Sequence, residues 1–298
     1  MRFWPQRTIR HVSVTLLDKS RKGLAKAVRD RIAGPEFEAA HQQIWHTPGP
    51  RWFTETDAIW EVHADTAMFI GGIRALLLQS LHPMAMLGVS EHSDFRVDPW
   101  GRLQRTSHYL ATTTYGTIPD AERSIRIVKA IHTRVKGTAA DGRDYRADDP
   151  QLLMWVHITE IDSFLASHQT FGRRRLSDER ADEYVRQTGL AAAKLGVVDP
   201  PQTVAELAAC LAGYRPELRL SGPAKETADL LLRTPPLSGP ARLGYQVLAT
   251  GAISILPAWA RAELLLPTLP ASDRVIARPL ARSALATIRW ALADDAVV

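Results

Sequence analysis

Apolar residues recur at helical spacing along most of the chain, and runs that alternate strictly between apolar and polar residues are scarce. Within residues 118–136, for example, Ile125, Val128, Ile131 and Val135 share one face of a helix with about 3.6 residues per turn. The helix formers Ala, Leu, Arg and Glu are also abundant. This pattern predicts an all-α protein.

Prolines, glycines and capping residues divide the pattern into segments. His82-Pro83 ends the first long helix, and Gly71-Gly72 lie in its middle, where each glycine costs about 1 kcal/mol relative to Ala. Such a cost is tolerable where another part of the chain approaches the backbone closely. We expect connecting chain at residues 84–100 and a loop at 139–150. Helices are predicted at 18–32, 36–46, 55–82, 101–116, 118–136, 151–170, 178–195, 203–213, 224–233, 240–256, 258–265 and 271–293.

The 298 residues carry a formal net charge of +5, and the positive charge is concentrated at the start of the chain. Residues 1–31 hold nine Lys and Arg against Asp18 and Asp30, a net charge of +7, so the remainder sums to −2. This basic arm predicts either a solvated surface helix or a segment that approaches anionic lipid. Because the sequence contains no zinc-finger spacing and no RNA-recognition motif, we expect no nucleic-acid partner.

The single cysteine, Cys210, cannot form an intrachain disulfide, and the apolar runs near the start are too short for a secretory signal. Both features predict a reducing, cytoplasmic location. Between Arg242 and Arg261 lie 18 uncharged residues, near the shortest length that spans a membrane. Gln246 and Pro257 lower the hydrophobicity of this segment. A buried core helix is therefore favoured, and peripheral contact with a membrane surface stays open.

Two histidines fall on the predicted inward faces of neighbouring helices. His132 shares the face of Ile125 and Val128, and His157 lies on a stripe with Ile161. An imidazole that points inward needs a partner, because a buried polar group without one is costly. The partner is either a carbonyl or carboxylate, which spacing alone favours, or a metal or haem iron.

A polar stripe precedes His132. Arg102 and Thr106 lie four residues apart on one side of a predicted helix, and Tyr109 and Thr113 continue that side. Such a stripe can form a hydrogen-bonding wall beside a bound polar group, and its arginine can pair with a haem propionate or orient dioxygen. A solvent-facing stripe is an equally good interpretation.

Other kinds of active site find less support. A carboxylate-bridged di-iron centre requires two Glu-x-x-His pairs on separate helices, and the chain has one, at Glu38 and His41. His-Glu-x-x-His and paired cysteines are missing, so zinc is not expected. The motifs of nucleophilic hydrolases and phosphate-binding loops are missing as well.

Several short motifs, taken in order, resemble a known family. They are Arg74-Ala75-Leu76-Leu77-Leu78-Gln79-Ser80-Leu81-His82-Pro83, Gly101-Arg102-Leu103 with Arg105-Thr106, Tyr115-Gly116, His132 with Gly137, Asp141-Gly142 with Tyr145, and Trp155-Val156-His157. Their order and spacing over residues 55–260 resemble a bacterial and fungal family of oxygenases. That family contains the latex-clearing rubber oxygenases and the MpaB-type oxygenases of the endoplasmic reticulum.

The resemblance implies a globin-like helical core that holds haem b, with additional C-terminal helices, and oxidation of a hydrophobic substrate by dioxygen. By motif, His132 looks like the iron ligand, and Arg102 and Thr106 look like an Arg/Thr pair near the haem. His82 and His157 match histidines of the bacterial members. We therefore expect a catalytic set of Arg102, Thr106 and His157, and a cofactor-binding set of His132, Arg102, Thr106, His82 and Arg74.

Taken together, these features predict three regions. Residues 1–50 form a basic N-terminal arm with short helices, residues 51–265 an oxygenase-like helical domain, and residues 266–298 a C-terminal helix packed on that domain. The expected function is a haem b-dependent oxygenase acting on an isoprenoid or lipid-like substrate. Two alternatives stay open: a non-catalytic haem- or lipid-binding protein at a membrane surface, and a non-haem iron oxygenase.

Overall fold

The computed structural model describes residues 7–32, 34, 36–93 and 97–293, with side chains from Asp18 onward. Within these residues regular structure is almost entirely helical, and the strands form one short hairpin. The prediction of an all-α protein is therefore confirmed. Arg2 of the predicted basic arm and Asp94 of the predicted connection lie outside the described residues.

The elements follow one another closely along the chain. They are α1 (Arg7–Ile32), α2 (Phe37–His41) continuing as a π-helical turn (Gln42–His46), α3 (Ala58–His63), α4 (Met68–Ser80), α5 (Pro83–His92), α6 (Pro99–Tyr115), α7 (Ile118–His132), β1 (Lys136–Thr138), β2 (Asp144–Arg146), α8 (Pro150–Phe171), α9 (Asp178–Leu195), α10 (Val204–Tyr214), α11 (Gly222–Leu232), α12 (Gly239–Ser254), α13 (Ala258–Glu263), α14 (Pro270–Ser272) and, after a π-helical turn (Asp273–Ala277), α15 (Arg278–Ala291).

The packing of α4 against α8 forms the centre of the core. Ile70 on α4 and Trp155 and Ile158 on α8 are completely buried. Helices α11 and α12 pack on other sides of α4, and α15 covers α12. The core therefore joins segments from all three thirds of the chain.

A glycine allows α4 and α8 to approach closely. A Cβ atom built on Gly71 would lie 2.7 Å from Cδ1 of Phe164 and 3.2 Å from the carbonyl oxygen of Ser163. A Cβ atom on Gly72 would meet nothing within 4 Å. The close approach expected at this pair is confirmed for Gly71 and wrong for Gly72, because only Gly71 faces α8.

The structure divides the predicted helix 55–82 into α3 and α4. The carboxylate of Asp65 accepts hydrogen bonds from the backbone nitrogens of Ala67 (2.8 Å) and Arg173 (3.0 Å) and from Nη2 of Arg289 (2.6 Å). An aspartate that bonds nearby backbone amides competes with helix formation. The prediction of a single helix was wrong because its spacing does not reveal this arrangement around Asp65.

Two predicted connections also contain regular structure. Residues 84–100 were expected to be irregular, yet α5 occupies their first half, with Pro83 in its first turn and His82 as its cap. The predicted loop 139–150 includes β2, which pairs with β1 so that Gly137 lies opposite Tyr145. Helical and loop composition overlap in both segments, and a strand of three residues is too short to show a period.

Helices α6 and α7 form an antiparallel pair. Asp98 caps α6 by accepting a hydrogen bond from the nitrogen of Gly101 (2.8 Å), and Thr117 caps α7 by accepting one from Asp120. Both helices are close to their predicted bounds. Ile131, however, was expected on the buried face and is 46% exposed, because α7 ends one residue later and the chain turns away.

The uncharged segment 243–260 contributes to the core along its second half. Ala249 and Ala252 are buried against α4 and α15, whereas Leu243 near the start of α12 is 67% exposed. The favoured interpretation as a core helix therefore holds for the end of α12. Across the described residues, none of the helices combines the length and the apolar character that crossing a membrane requires.

Candidate functional site

Helices α6 and α8 run side by side in the same direction without packing closely on each other. Helix α6 packs on α7 and α3, whereas α8 packs on α4, α9 and α10. Tyr109 on α6 is close enough to Glu160 on α8 for the charge of Glu160 to add to the effect of burial in raising the pKa of Tyr109. Five residues further along α6, Thr114 meets His63, whose ring lies against Phe164, four residues further along α8. We call the group of polar side chains between these helices the internal site.

Thr114 and Tyr184 of the internal site are buried, and its other side chains are partly buried. Its polar lining comes from four helices: α3, α6, α8 and α9. The lining residues are His63, Tyr109, Thr114, His157, Glu160 and Tyr184.

His63 is fixed by hydrogen bonds at both ring nitrogens. Its Nδ1 lies 2.9 Å from Oγ1 of Thr114, and its Nε2 lies 3.3 Å from the phenolic oxygen of Tyr184. Burial lowers the pKa of His63 to about 3, so the ring is neutral near pH 7. One nitrogen must then donate and the other accept, and both hydroxyl groups can take either role.

Glu160 is the acidic group of the internal site. Burial raises the pKa of its carboxyl group to about 7. The described residues provide no hydrogen-bond partner for this carboxyl group. Burial and then the charge of Glu160 raise the pKa values of Tyr109 and Tyr184 well above the ordinary value. Glu160 is therefore a carboxyl group that can both hold and release a proton near neutral pH.

His157 lies one helical turn before Glu160 on the same side of α8. Its Nε2 atom is buried and has no hydrogen-bond partner among the described residues. Burial lowers the pKa of His157 to about 4, so the ring is neutral at physiological pH. A neutral imidazole whose inner nitrogen has no protein partner is suited to bind a ligand or an iron atom.

His132 lies in the last turn of α7, half buried. Its Nδ1 atom is also buried without a partner in the described part of the chain. Burial lowers the pKa of His132, and the nearby charge of Asp148 opposes this effect. Within the described residues no hydrogen bond or ring contact joins His132 to His157. Because the pKa values of both histidines are lowered, both rings are neutral near pH 7. Each ring also has a buried nitrogen, without a partner among the described residues, that can bind an added group.

Arg102 lies in the first turn of α6, at the same end of the antiparallel pair as His132. Its guanidinium group is half buried and donates a hydrogen bond to Oγ of Ser93 (3.2 Å). Burial, and then the charge of Arg105, lower the pKa of Arg102. Thr106 is exposed, and its hydroxyl group donates to the carbonyl oxygen of Arg102 in its own helix (3.1 Å). The predicted polar stripe thus begins at solvent and becomes buried at Thr113.

Arg74 lies on the opposite side of α8 from His157. It is buried, and its Nη1 atom lies 2.7 Å from both Oγ of Ser163 and Oδ2 of Asp162. At about 100° per residue, positions 162 and 163 face away from position 157. The side chain of Arg74 is therefore engaged in holding α4 to α8.

His82 also lies away from the internal site. Its ring is buried beside Trp155 and Tyr214, its Nδ1 atom accepts a hydrogen bond from Ala85, and its Nε2 atom lies 3.6 Å from Glu217. Burial lowers the pKa of His82, and Glu217 opposes this effect. Among the predicted cofactor-binding residues, Arg74 and His82 thus have protein partners that occupy their polar atoms.

The donor atoms available favour one kind of iron site over another. Within the described part of the chain, no three His, Cys, Asp or Glu side chains come close enough together to hold a bare metal ion. Glu38 and His41, the single Glu-x-x-His pair, lie on the short helix α2. Haem iron needs only one or two protein ligands, because the porphyrin supplies the others. His132 or His157 can each provide such a ligand.

The pattern of the sequence did not identify His63, Thr114 and Tyr184 as site residues. His63 was assigned to a long helix that the structure divides, and Tyr184 lies on a helix with no other chemical signal. One signal was available: Thr112, Thr113 and Thr114 form a polar run next to Tyr115, and all of these are buried. A buried polar run at the end of a helix indicates partners from another helix.

Comparison with known proteins gives one match. A family model described as the catalytic domain of the ER-bound oxygenase mpaB/B′ and of rubber oxygenase matches residues 60–290. Neither the curated proteins nor the solved structures provide a significant match. The matched range contains α4 to α14, α15 except its last residue, and the whole internal site. The chain therefore belongs to the mpaB and rubber oxygenase catalytic-domain family.

Proposed function

We propose that the protein is a haem b-dependent oxygenase that acts with dioxygen on a hydrophobic, isoprenoid or lipid-like substrate in the internal site. One observation carries the proposal: the neutral His157 and the proton-holding Glu160 lie one turn apart on the same side of α8. Neither Nε2 of His157 nor the carboxyl group of Glu160 has a hydrogen-bond partner among the described residues. Membership of an oxygenase family supplies the reaction class.

The residues present fit a haem group. His132 and His157 each keep a buried nitrogen without a partner, and lowered pKa values leave both rings neutral. Among the described residues, the half-buried guanidinium group of Arg102 donates to one neutral acceptor, Ser93, and it is suited to bind a propionate. We assign His132 as the iron ligand, following the family resemblance, and Arg102 as the propionate partner.

When bound, haem supplies the binding and activation of dioxygen. The protein supplies orientation and proton control. Apolar side chains such as Phe164 and Ile161 exclude water, which strengthens every electrostatic interaction in the site. Glu160 holds or releases a proton at its carboxyl oxygen beside the substrate.

His63 has a positioning role in this proposal. Its two hydrogen bonds connect α3, α6 and α9 at the far end of the internal site. Because the ring stays neutral, it adds no charge to the apolar space. Thr114 and Tyr184 thereby fix the wall against which an apolar substrate packs.

Oxygen uptake in the presence of an apolar alkene tests the proposal. Protein reconstituted with haem is mixed with squalene, and dissolved oxygen is followed. We expect uptake that depends on the alkene and falls by about a hundredfold or more in Glu160→Gln, the range typical of a general acid or base. Glu38→Gln is the matched control, because Glu38 is exposed on α2 and belongs to the non-haem alternative.

The outcomes separate the candidate functions. Unchanged uptake in Glu38→Gln, together with loss in Glu160→Gln, supports the haem oxygenase. Loss in Glu38→Gln with full activity in Glu160→Gln would favour a non-haem iron centre. Haem binding without uptake for any alkene would contradict the oxygenase and favour a carrier.

A further inference from the structure

The surface around the start of α15 combines exposed apolar side chains with arginines. Among the residues whose side chains the structure describes, fourteen large apolar side chains are exposed, and five of them lie within residues 265–280. Exposed fractions in this group range from 52% to 80%. The five are Leu265, Leu269, Val275, Ile276 and Leu280. Scattered apolar residues need no explanation, but a cluster of this size marks an interaction surface.

A cleft of about 170 Å³ is lined in part by other residues of the same segment, among them Thr268, Pro270 and Arg274. Its polar lining includes Ser254, Arg261, Thr268, Asp273, Arg274 and Arg278. Each of the five apolar residues lies within four positions of one of these lining residues. Segment 265–280 therefore supplies both the exposed apolar cluster and much of the cleft lining, and we call it, together with the cleft, the 265–280 surface.

The cleft carries an excess of positive charge. Arg261 is buried and pairs with Asp273 at 2.8 Å, so the one acidic residue of the lining is already neutralised. Arg274 is exposed and has no acidic partner among the described residues. Arg278 donates one hydrogen bond to the carbonyl oxygen of Ser254 (2.9 Å), and its Nε atom is buried without a partner. This nitrogen is available to donate a hydrogen bond to an anion that enters the cleft.

The backbone at Leu265 supports an external role for the apolar cluster. Leu265 has φ 54°, a left-handed conformation that favours glycine, and its side chain is 80% exposed. A leucine there costs about 1–2 kcal/mol in backbone energy and gains little from burial within the fold. The next residues, Leu266, Pro267 and Leu269, continue an apolar loop.

We propose that the 265–280 surface docks on a lipid bilayer and that its arginine cleft binds the phosphate of an anionic headgroup. Apolar side chains next to arginines are the combination that lies at a membrane interface, where the side chains enter the acyl boundary and the cations meet phosphate. The exposed apolar cluster lies outside segment 243–260 and the basic arm, although Ser254 of that segment contributes to the cleft. Docking does not depend on haem binding or on the reaction in the internal site.

A second copy of the chain fits this surface less well. A two-fold symmetric dimer places the same patch of each copy against itself. Arg274 and Arg278 of both copies would then face one another, and Asp273 is already paired with Arg261. An anionic bilayer complements both the charge and the apolar character.

Vesicle co-sedimentation of the full chain tests the proposal. We compare vesicles of phosphatidylcholine with vesicles of equal parts phosphatidylcholine and phosphatidylglycerol. The wild type should bind the anionic vesicles, and Arg274→Gln should weaken binding about fivefold, because an arginine near the surface contributes about 1 kcal/mol. A double variant, Ile276→Ser with Leu280→Ser, should weaken it by about tenfold or more.

Val198→Ser is the matched control, because Val198 is 59% exposed outside this surface, and it should bind as the wild type does. Unchanged thermal unfolding shows that the variants fold. Absence of wild-type binding, equal binding to neutral vesicles, or wild-type binding by the double variant would overturn the proposal. So would a wild-type dimer that the double variant converts to a monomer without any vesicle binding.

Discussion

His63 and Tyr184 join α3 to α9 through a hydrogen bond of 3.3 Å between Nε2 and the phenolic oxygen. Tyr184 is completely buried, so removing its hydroxyl group leaves the ring nitrogen of His63 without a partner. We expect Tyr184→Phe to lower the free energy of unfolding by about 1–3 kcal/mol, measured by urea denaturation. Tyr245→Phe is the control, because Tyr245 forms no hydrogen bond with the described residues, and it should change stability by less than about 0.5 kcal/mol. Equal losses in the free energy of unfolding for the two variants would show that the hydrogen bond to His63 does not contribute to stability.

The raised pKa of Glu160 predicts a pH-dependent difference between wild type and Glu160→Gln. Between about pH 4.5 and 7 the folded wild type keeps a proton that the unfolded chain has released, so its stability falls as pH rises through this range. Glutamine has no such proton. The free energy of unfolding of Glu160→Gln, relative to that of wild type, should therefore rise by about 1–3 kcal/mol between pH 4.5 and pH 8. Above pH 8 the difference should stay constant.

Denaturation of both proteins across this pH range measures that difference directly. The lowered pKa values of His63 and His157 make both proteins less stable in acid, and this effect cancels in the difference. A difference that stays constant with pH would show that Glu160 keeps an ordinary pKa.

Asp65 holds the break between α3 and α4 and should contribute strongly to stability. Hydrogen bonds from Arg289, Ala67 and Arg173 outweigh the burial that would raise the pKa of Asp65, so its pKa is lowered. Asp65→Asn should lower stability by about 2–4 kcal/mol at pH 7, since it removes the charge that pairs with Arg289.

The sign of the pH effect follows from the lowered pKa of Asp65. The stabilisation is present above the ordinary pKa of about 3.8 and is lost as pH falls through the folded-state value. The difference in the free energy of unfolding between wild type and Asp65→Asn should therefore become smaller as the pH falls. Asp141→Asn, which disrupts an exposed pair with Arg143, should leave stability nearly unchanged.

The two glycines of α4 give a matched pair of substitutions. Gly71→Ala forces a methyl group against Phe164 and the backbone of α8, and we expect a loss of about 1–3 kcal/mol. Gly72→Ala meets no neighbouring atom and should gain about 1 kcal/mol from helix propensity. Thermal unfolding of both variants checks the opposite signs. Losses of equal size would mean that α4 and α8 are less tightly packed.

Local pattern predicted most helices of this chain, because their buried faces repeat at helical spacing. On α8, Ile161 was expected on one stripe with His157, and it is buried. The break at Asp65 could not be predicted, since residues 173 and 289 complete its hydrogen bonds from distant parts of the chain. Tertiary partners of this kind leave no periodic signal.

The candidate site was predictable only in part for the same reason. The inward position of His157 follows from helical spacing, and the proposed roles of His132 and Arg102 came from the resemblance. The structure adds three site residues, because α3, α6 and α9 bring them together: His63, Thr114 and Tyr184. The motif residues Arg74 and His82 lie away from His157 because they face the other side of α8.

Haem binding by His132 is the central claim, and an absorption spectrum tests it most directly. Wild-type protein, His132→Ala and the control His92→Ala are each reconstituted with haemin, and iron is quantified alongside the Soret band. We predict about one haem per chain and a strong Soret band for wild type and His92→Ala, since His92 is exposed and bonds Tyr145. His132→Ala should lose most of the band. A wild type without a Soret band, or a His132→Ala spectrum identical to wild type, would contradict the account.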